Sequence, residues 1–238
     1  LSGTSMAAPN QAGATALVRQ YVKFSDDLNA LAADGKKLTA QEVTAIVNQL
    51  MMSTTDILLN KNGLAYAVRK QGAGLMSILK STTTNAYIVT YQNGAEMDKS
   101  KLEIGDDKEK LGVYKMTFGI RNFGSSTLSY NVGSIALTEG VNNIFTGHGD
   151  TTVTMNGYQF DASLTVDSVK NGKANGNVVT ISGKQTAEVT VTLRLSDDDK
   201  KYLNDSFKHG MYVEGFLTLD NQAADSVDLN VPFLGFYG

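Results

Sequence analysis

Residues 3–17 read Gly3-Thr4-Ser5-Met6-Ala7-Ala8-Pro9-Asn10-Gln11-Ala12-Gly13-Ala14-Thr15-Ala16-Leu17, a polar turn running into a segment with almost no side-chain bulk. The pattern predicts a helix from Met6 to about Val22, with Ala7, Ala8, Ala12, Ala14 and Ala16 as a thin shaft and Leu17, Val18 and Tyr21 as apolar cover. So slender a helix belongs in tight packing. Ser5 falls at its start, where backbone N–H groups lack partners within the helix and the helix dipole favours negative charge. An acyl-transfer nucleophile needs such a place, because its own N–H can hold the oxyanion while its hydroxyl attacks. Gly3 permits close approach of a substrate backbone. The plainer reading stands beside this one: a Ser or Thr ahead of an apolar helix is ordinarily a cap, and a proline in the first turn suits ordinary helix initiation.

Outward from this segment, the 238-residue chain has room for one large or two modest domains. With 42% hydrophobic and 19% charged residues it is a folded chain, not a disordered one. A net charge of -3 supplies no field to hold a polyanion, so no nucleic-acid partner is expected. Cysteine is absent, which excludes disulfides, thiolate zinc sites and cysteine nucleophiles. No apolar run approaches the roughly 18 residues of a membrane span, and no signal-peptide pattern opens the chain. The first residue is not methionine and lies against the serine motif, so the chain reads as a piece of something longer.

Two compositions divide it. Residues 1–80 carry eight Lys/Arg against five Asp/Glu and are rich in Ala, Met and Leu; the remainder carries thirteen against nineteen and is rich in Thr, Val, Gly, Asn, Tyr and Phe. A helical region followed by a β region is implied, joined near Ser81-Thr82-Thr83-Thr84-Asn85. In the first region Thr39-Ala40-Gln41-Glu42 forms a capping box ahead of Val43, Ile46, Val47, Leu50 and Met51 at helical spacing. A short helix is predicted after Gln71-Gly72-Ala73-Gly74, with Leu75, Ile78 and Leu79 as its buried side.

The second region reads as short strands between turn signals, the pattern of an antiparallel sandwich. Strands are predicted at residues 87–91, 114–120, 178–181, 187–195, 212–219 and 229–236. Asn93-Gly94 reads as a turn, Asn122-Phe123-Gly124-Ser125-Ser126 as a hairpin loop, and the Asn-Gly pairs at 156–157, 171–172 and 175–176 as further punctuation. Ser196-Asp197-Asp198-Asp199 caps a short helix to about Asp205, which accounts for those acids better than a calcium loop. Gly147-His148-Gly149-Asp150 reads as a solvated turn and not a metal pair. Lys99 to Lys110 alternates charges and reads as a hydrated connecting loop. Tyr212, Phe216, Phe233, Phe236 and Tyr237 are assigned to the sandwich core, and Gly210 and Gly215 to turns or bulges.

The heptapeptide Gly3-Thr4-Ser5-Met6-Ala7-Ala8-Pro9, with Gln11 to Leu17 behind it, resembles the nucleophile segment of subtilisin-like serine proteases. The likeness extends through the helix of Glu42 to Met51 and the element Gln71-Gly72-Ala73-Gly74-Leu75. Tyr114–Phe123, Tyr212-Val213-Glu214-Gly215-Phe216 and residues 231–238 resemble the fibronectin-III-like domain of cell-envelope proteinases of the lactocepin and C5a-peptidase type. The resemblance implies that residues 1–80 are the helical carboxy-terminal segment of an α/β subtilisin-like catalytic domain and residues 81–238 an antiparallel fibronectin-III-like β-sandwich. It carries the catalytic role, and one oxyanion N–H, onto Ser5 alone.

In that family the histidine, aspartate and oxyanion asparagine precede the serine, and His148 and His209 match no histidine motif. In subtilisin itself, loss of the histidine lowers turnover by about 10⁶. The chain alone is therefore expected to be silent, whereas its parent is expected to be a secreted or wall-attached bacterial endopeptidase acting on proteins or peptides. No cofactor and no metal are assigned. The alternative is an adhesion or scaffold module with a relic serine motif. An alanine-rich helix without its surrounding core should expose apolar surface, to be covered by self-association, by the sandwich or by an upstream catalytic segment.

Overall fold

Ala14, Val18 and Val22, four residues apart, are the buried seam of α1 (Thr4–Phe24), the helix predicted from the small-residue run. The computed structural model describes residues 3–143, 151–224 and 226–238. α1 starts two residues earlier than the spacing suggested, so Pro9 lies in its second turn and not its first. Proline has no N–H, and the Ser5 carbonyl thereby loses its helical donor. Ser25 caps the short α2 (Asp26–Asn29). α3 (Ala40–Ser53) opens on the predicted capping box: Glu42 N–H donates to Thr39 Oγ1 at 3.2 Å, and Thr39 N–H donates to Glu42 Oε2 at 2.7 Å. Its buried side is the predicted one, Val43, Ile46, Val47, Leu50 and Met51.

α4 (Val68–Gln71) and α5 (Ile78–Thr83) complete the first region. The predicted burial of Leu75, Ile78 and Leu79 is overturned, for they are 55%, 38% and 71% exposed. α5 has fewer than two turns, and the side chain it buries is Ser81, whose hydroxyl lies 2.8 Å from that of Thr54. Leu17, assigned to the cover of α1, is likewise 53% exposed.

Among the described residues the strands form two sheets. One runs in the order β2 (Ala95–Glu96), β1 (Ala86–Gln92), β4 (Val113–Asn122), β10 (Thr186–Arg194), β7 (Ser163–Lys170). The other runs β3 (Leu102–Asp107), β12 (Leu229–Tyr237), β11 (Met211–Asn221), β5 (Leu128–Asn143), β9 (Val178–Ile181), β8 (Lys173–Asn175), and β6 (Thr151–Gln159) pairs with the far end of the long β5. Val189, Val191 and Leu193 alternate on β10 and meet Val231, Phe233, Leu217 and Leu219 across the interior. β-branched and aromatic side chains suit such a pleated, half-buried surface. α6 (Asp197–Ser206) closes one end, with Ser196 and Asp199 forming its capping box.

β1 is buried on both faces from Ala86 to Thr90, in keeping with its apolar run Ala86 to Val89. Ile88 points into the sandwich, whereas Tyr87 and Val89 join Val18, Val22, Ile46 and Leu50 in a second core beneath the helices. Phe123 belongs to the same core, its ring 5.9 Å from that of Tyr87. The helices thus form a third layer on the sandwich, so part of the apolar surface expected to be open is covered within the chain.

The join is polar and buried. Ser53 Oγ donates to Gln49 O at 2.6 Å and accepts Ile88 N–H at 2.9 Å, and Ser100 Oγ donates to Ile88 O at 2.5 Å. Thr55 Oγ1 donates to Ala73 O at 2.6 Å, and Asn230 Nδ2 donates to Thr55 O at 2.8 Å. Ser53, Thr54 and Thr55 therefore tie α3 to β1, α5 and β12 in three consecutive residues.

Several turn assignments change. Asn93 and Gly94 both take positive φ and link β1 to β2 as predicted. Asn122 to Ser126 is no hairpin loop, because β4 and β5 lie in different sheets and the segment crosses between them. Asn156-Gly157 falls inside β6, where a Cβ on Gly157 would lie 2.4 Å from the Cα of Gly140; the glycine serves close strand approach. The charged stretch assigned to a loop holds β3, which pairs parallel with β12 by burying Leu102 while its charges face water. Gly147 to Asp150 lies outside the described residues.

Removing the Ser53 hydroxyl strands the buried Ile88 N–H. Ser53→Ala should therefore lower unfolding free energy by about 1–3 kcal/mol, read as a shifted midpoint in urea denaturation with an unchanged slope.

Candidate functional site

Gly3 precedes α1 in a non-helical conformation and caps it with no side chain. The helix's hydrogen bonds begin with Met6 and Ala7 N–H donating to Gly3 O, at 3.1 and 3.2 Å. Ser5 N–H thus stands among the free donors of the first turn. Ser5 is exposed, as are residues 6–13 after it, and no acidic side chain lies in the first turn to use up its positive end. The arrangement can stabilise a negatively charged oxygen beside the serine hydroxyl. It supplies no proton acceptor. His209 occupies an exposed turn between α6 and β11, at an element not among those packed on α1, and His148 lies outside the described residues.

The lower end of α1 is held by the second core, and the loop after α3 is held by charge. Arg69 on α4 donates through Nε and Nη2 to Glu214 Oε1, at 3.0 and 2.7 Å, and its Nη2 also reaches Glu139. Its backbone N–H donates to Glu214 Oε2 at 3.0 Å. Both glutamates are buried, on β5 and β11, and the guanidinium carbon lies 4.2 Å from the centre of the Tyr212 ring. Tyr212, assigned to the core, thus sits on the outer face under this arginine and is 38% exposed. Phe216 packs outward too, with Ala65 and Leu137, whereas Phe233 and Tyr237 occupy the interior as assigned. This clamp had no local signal, since its members are 70 and 145 residues apart. Burial pushes the Tyr87 hydroxyl up to about 12, which keeps it neutral beside Arg121.

The sequence model of the Fn3-like domain matches residues 102–234, more than half of the chain and nearly all of the sandwich. The chain belongs to the Fn3-like domain family. Relatives extend the likeness past the Fn3-like part. The chain is 29% identical over 243 residues to the PII-type proteinase of Lacticaseibacillus paracasei, covering 100% of this chain and 11% of that protein. The PI-type proteinase of Lactococcus lactis subsp. cremoris matches with the same identity and shares. The C5a peptidase of Streptococcus pyogenes is 24% identical over 240 residues, covering 100% of this chain and 18% of that one. The resemblance to cell-envelope proteinases thus runs through the helical region and the Fn3-like sandwich alike. The chain spans a small part of each relative's length. No helix among the described residues is long and apolar enough to cross a membrane.

Removing the clamp's cation leaves two carboxylates buried against Tyr212. Arg69→Met should cost about 3–5 kcal/mol, whereas losing a surface ion pair such as Lys201 with Asp205 should leave stability nearly unchanged, because solvent screens it; thermal unfolding of Arg69→Met and Lys201→Met separates the two.

Proposed function

We propose that this chain is the nucleophile-bearing part of a secreted or envelope-attached serine endopeptidase, with residues 1–80 the carboxy-terminal segment of a subtilisin-like catalytic domain and residues 81–238 its adjoining Fn3-like sandwich. The observation that carries the reading is Ser5, exposed in the first turn of α1 with its N–H free, in a chain whose whole length aligns with proteinases. Ser5 Oγ attacks the scissile carbonyl and passes its proton to a histidine supplied by residues other than these. The oxyanion accepts the Ser5 N–H. Collapse breaks the C–N bond, the leaving amine takes the proton from the histidine, and water then releases the acyl group from Ser5.

The exposed apolar side chains support the same reading. Met6 and Leu17 on α1, Leu58 and Leu59 in the loop after α3, and Leu75 and Leu79 by α5 are each 39% exposed or more. Scattered exposed leucines are ordinary, but these six all belong to the helical region that carries the serine motif. A catalytic segment packed there would cover them. The sandwich braces the helices through the Ser53–Thr55 seam and the Arg69 clamp.

Expressed with the upstream region of its own gene, the protein should cleave a denatured protein substrate. Ser5→Ala should lower kcat by about 10⁶, the loss that the serine carries in subtilisin itself. The 238-residue chain alone should hydrolyse nothing above the buffer rate. Undiminished cleavage by Ser5→Ala would remove Ser5 from the mechanism.

A further inference from the structure

On one flank of the sandwich, beside the edge strand β3, lies a half-enclosed cavity of about 440 Å³. Met116 and Leu102, both buried, and the half-buried Tyr91, Met97 and Ile104 give it an apolar lining drawn from both sheets. Two of these side chains are methionines, whose unbranched thioethers refit to different occupants. The exposed Lys101 and Lys115 also line it. Lys101 is paired with Glu103, which also lines the cavity, whereas Lys115 has no carboxylate at ion-pair distance among the described residues, so the lining keeps one unbalanced positive charge and the complementary charge is acidic.

β3 supplies the feature that selects the kind of ligand. β12 flanks it on one side, and among the described residues no strand flanks it on the other. Residues 101–105 border the cavity, so outward N–H and C=O groups lie next to an apolar pocket. A fatty acid would use the pocket and leave those groups unmatched; a peptide in extended conformation uses both. The irregularity in pairing at Ile104 and Gly105 limits the regular edge to a short stretch, and with Lys101 and Glu103 it deters sheet-to-sheet aggregation there. Main-chain pairing is therefore brief, and the pocket contributes the greater share of affinity.

We propose that this cavity and the adjoining edge of β3 bind an extended peptide segment, with an apolar side chain in the pocket and an acidic residue opposite Lys115. Binding belongs to this chain by itself, so the proposal fails or holds separately from the proteinase reading. The test is fluorescence anisotropy of the 238-residue chain with an acetylated, fluorescein-labelled Asp-Val-Thr-Leu-Thr-Val-Asp heptapeptide. Saturable binding is expected. Met97→Glu, which puts a charge into the pocket, should weaken it about tenfold, and Lys115→Glu about fivefold, with the order reversed for Lys115→Glu when lysines replace the aspartates of the peptide. Of two peptides N-methylated at alternate amides, one should lose about tenfold and the other little. Lys115 is exposed and Met97 half-buried, and unchanged thermal unfolding shows that both variants are folded. No saturable binding up to about 1 mM, binding indifferent to both substitutions, or uptake of dodecanoate without peptide binding would each overturn the proposal.

Discussion

Three adjacent hydroxyls hold this molecule together. A strand buried on both faces has no access to water along its edge, so each N–H and C=O there needs a partner from the protein. β1 meets that demand at Ile88 through Ser53 and Ser100, and the next two residues of α3's end reach α5 and β12 in the same way. Because these bonds are buried, they specify one register of helix against sheet more sharply than apolar contact alone. The second core beneath α1 and α3 can then close over Tyr87 and Phe123.

Local signals were readable wherever the physics is local. The capping box at Thr39, the serine cap at Ser196 and the alternation along β10 depend on residues a few positions apart, and the structure has them where the spacing puts them. β3 was hidden because its charges mask a single buried leucine, and its partner β12 arrives more than a hundred residues later. The segment after β4 has the composition of a hairpin but changes sheets, since Phe123 is drawn outward into the helical core. The run Leu75 to Leu79 shows apolar spacing without burial, because helical spacing cannot say whether a covering surface is present within the same chain.

The site divides along the same line. The position of Ser5 at a helix start was legible because it follows from the contiguous residues around it. The Arg69 clamp was not, as it gathers one residue of the helical region with two glutamates from separate strands. Nor was the cavity by β3, whose lining comes from three strands and the connections between them. Side chains that position a loop or shape a pocket are assembled by topology, and only the chemistry of a contiguous motif survives in the linear order.

The two flanks of the sandwich are closed to different degrees. At β7, otherwise an edge, Asn177 donates through Nδ2 to Leu164 O at 3.1 Å and accepts Val166 N–H at 3.2 Å through Oδ1. One amide side chain there mimics a neighbouring strand over a single residue pair and ties the two sheets together. A chain built this way is partly shuttered on one side and, among the described residues, ajar on the other, which makes its edges unequal: an incoming strand must displace the Asn177 amide at β7 and meets no such plug at β3.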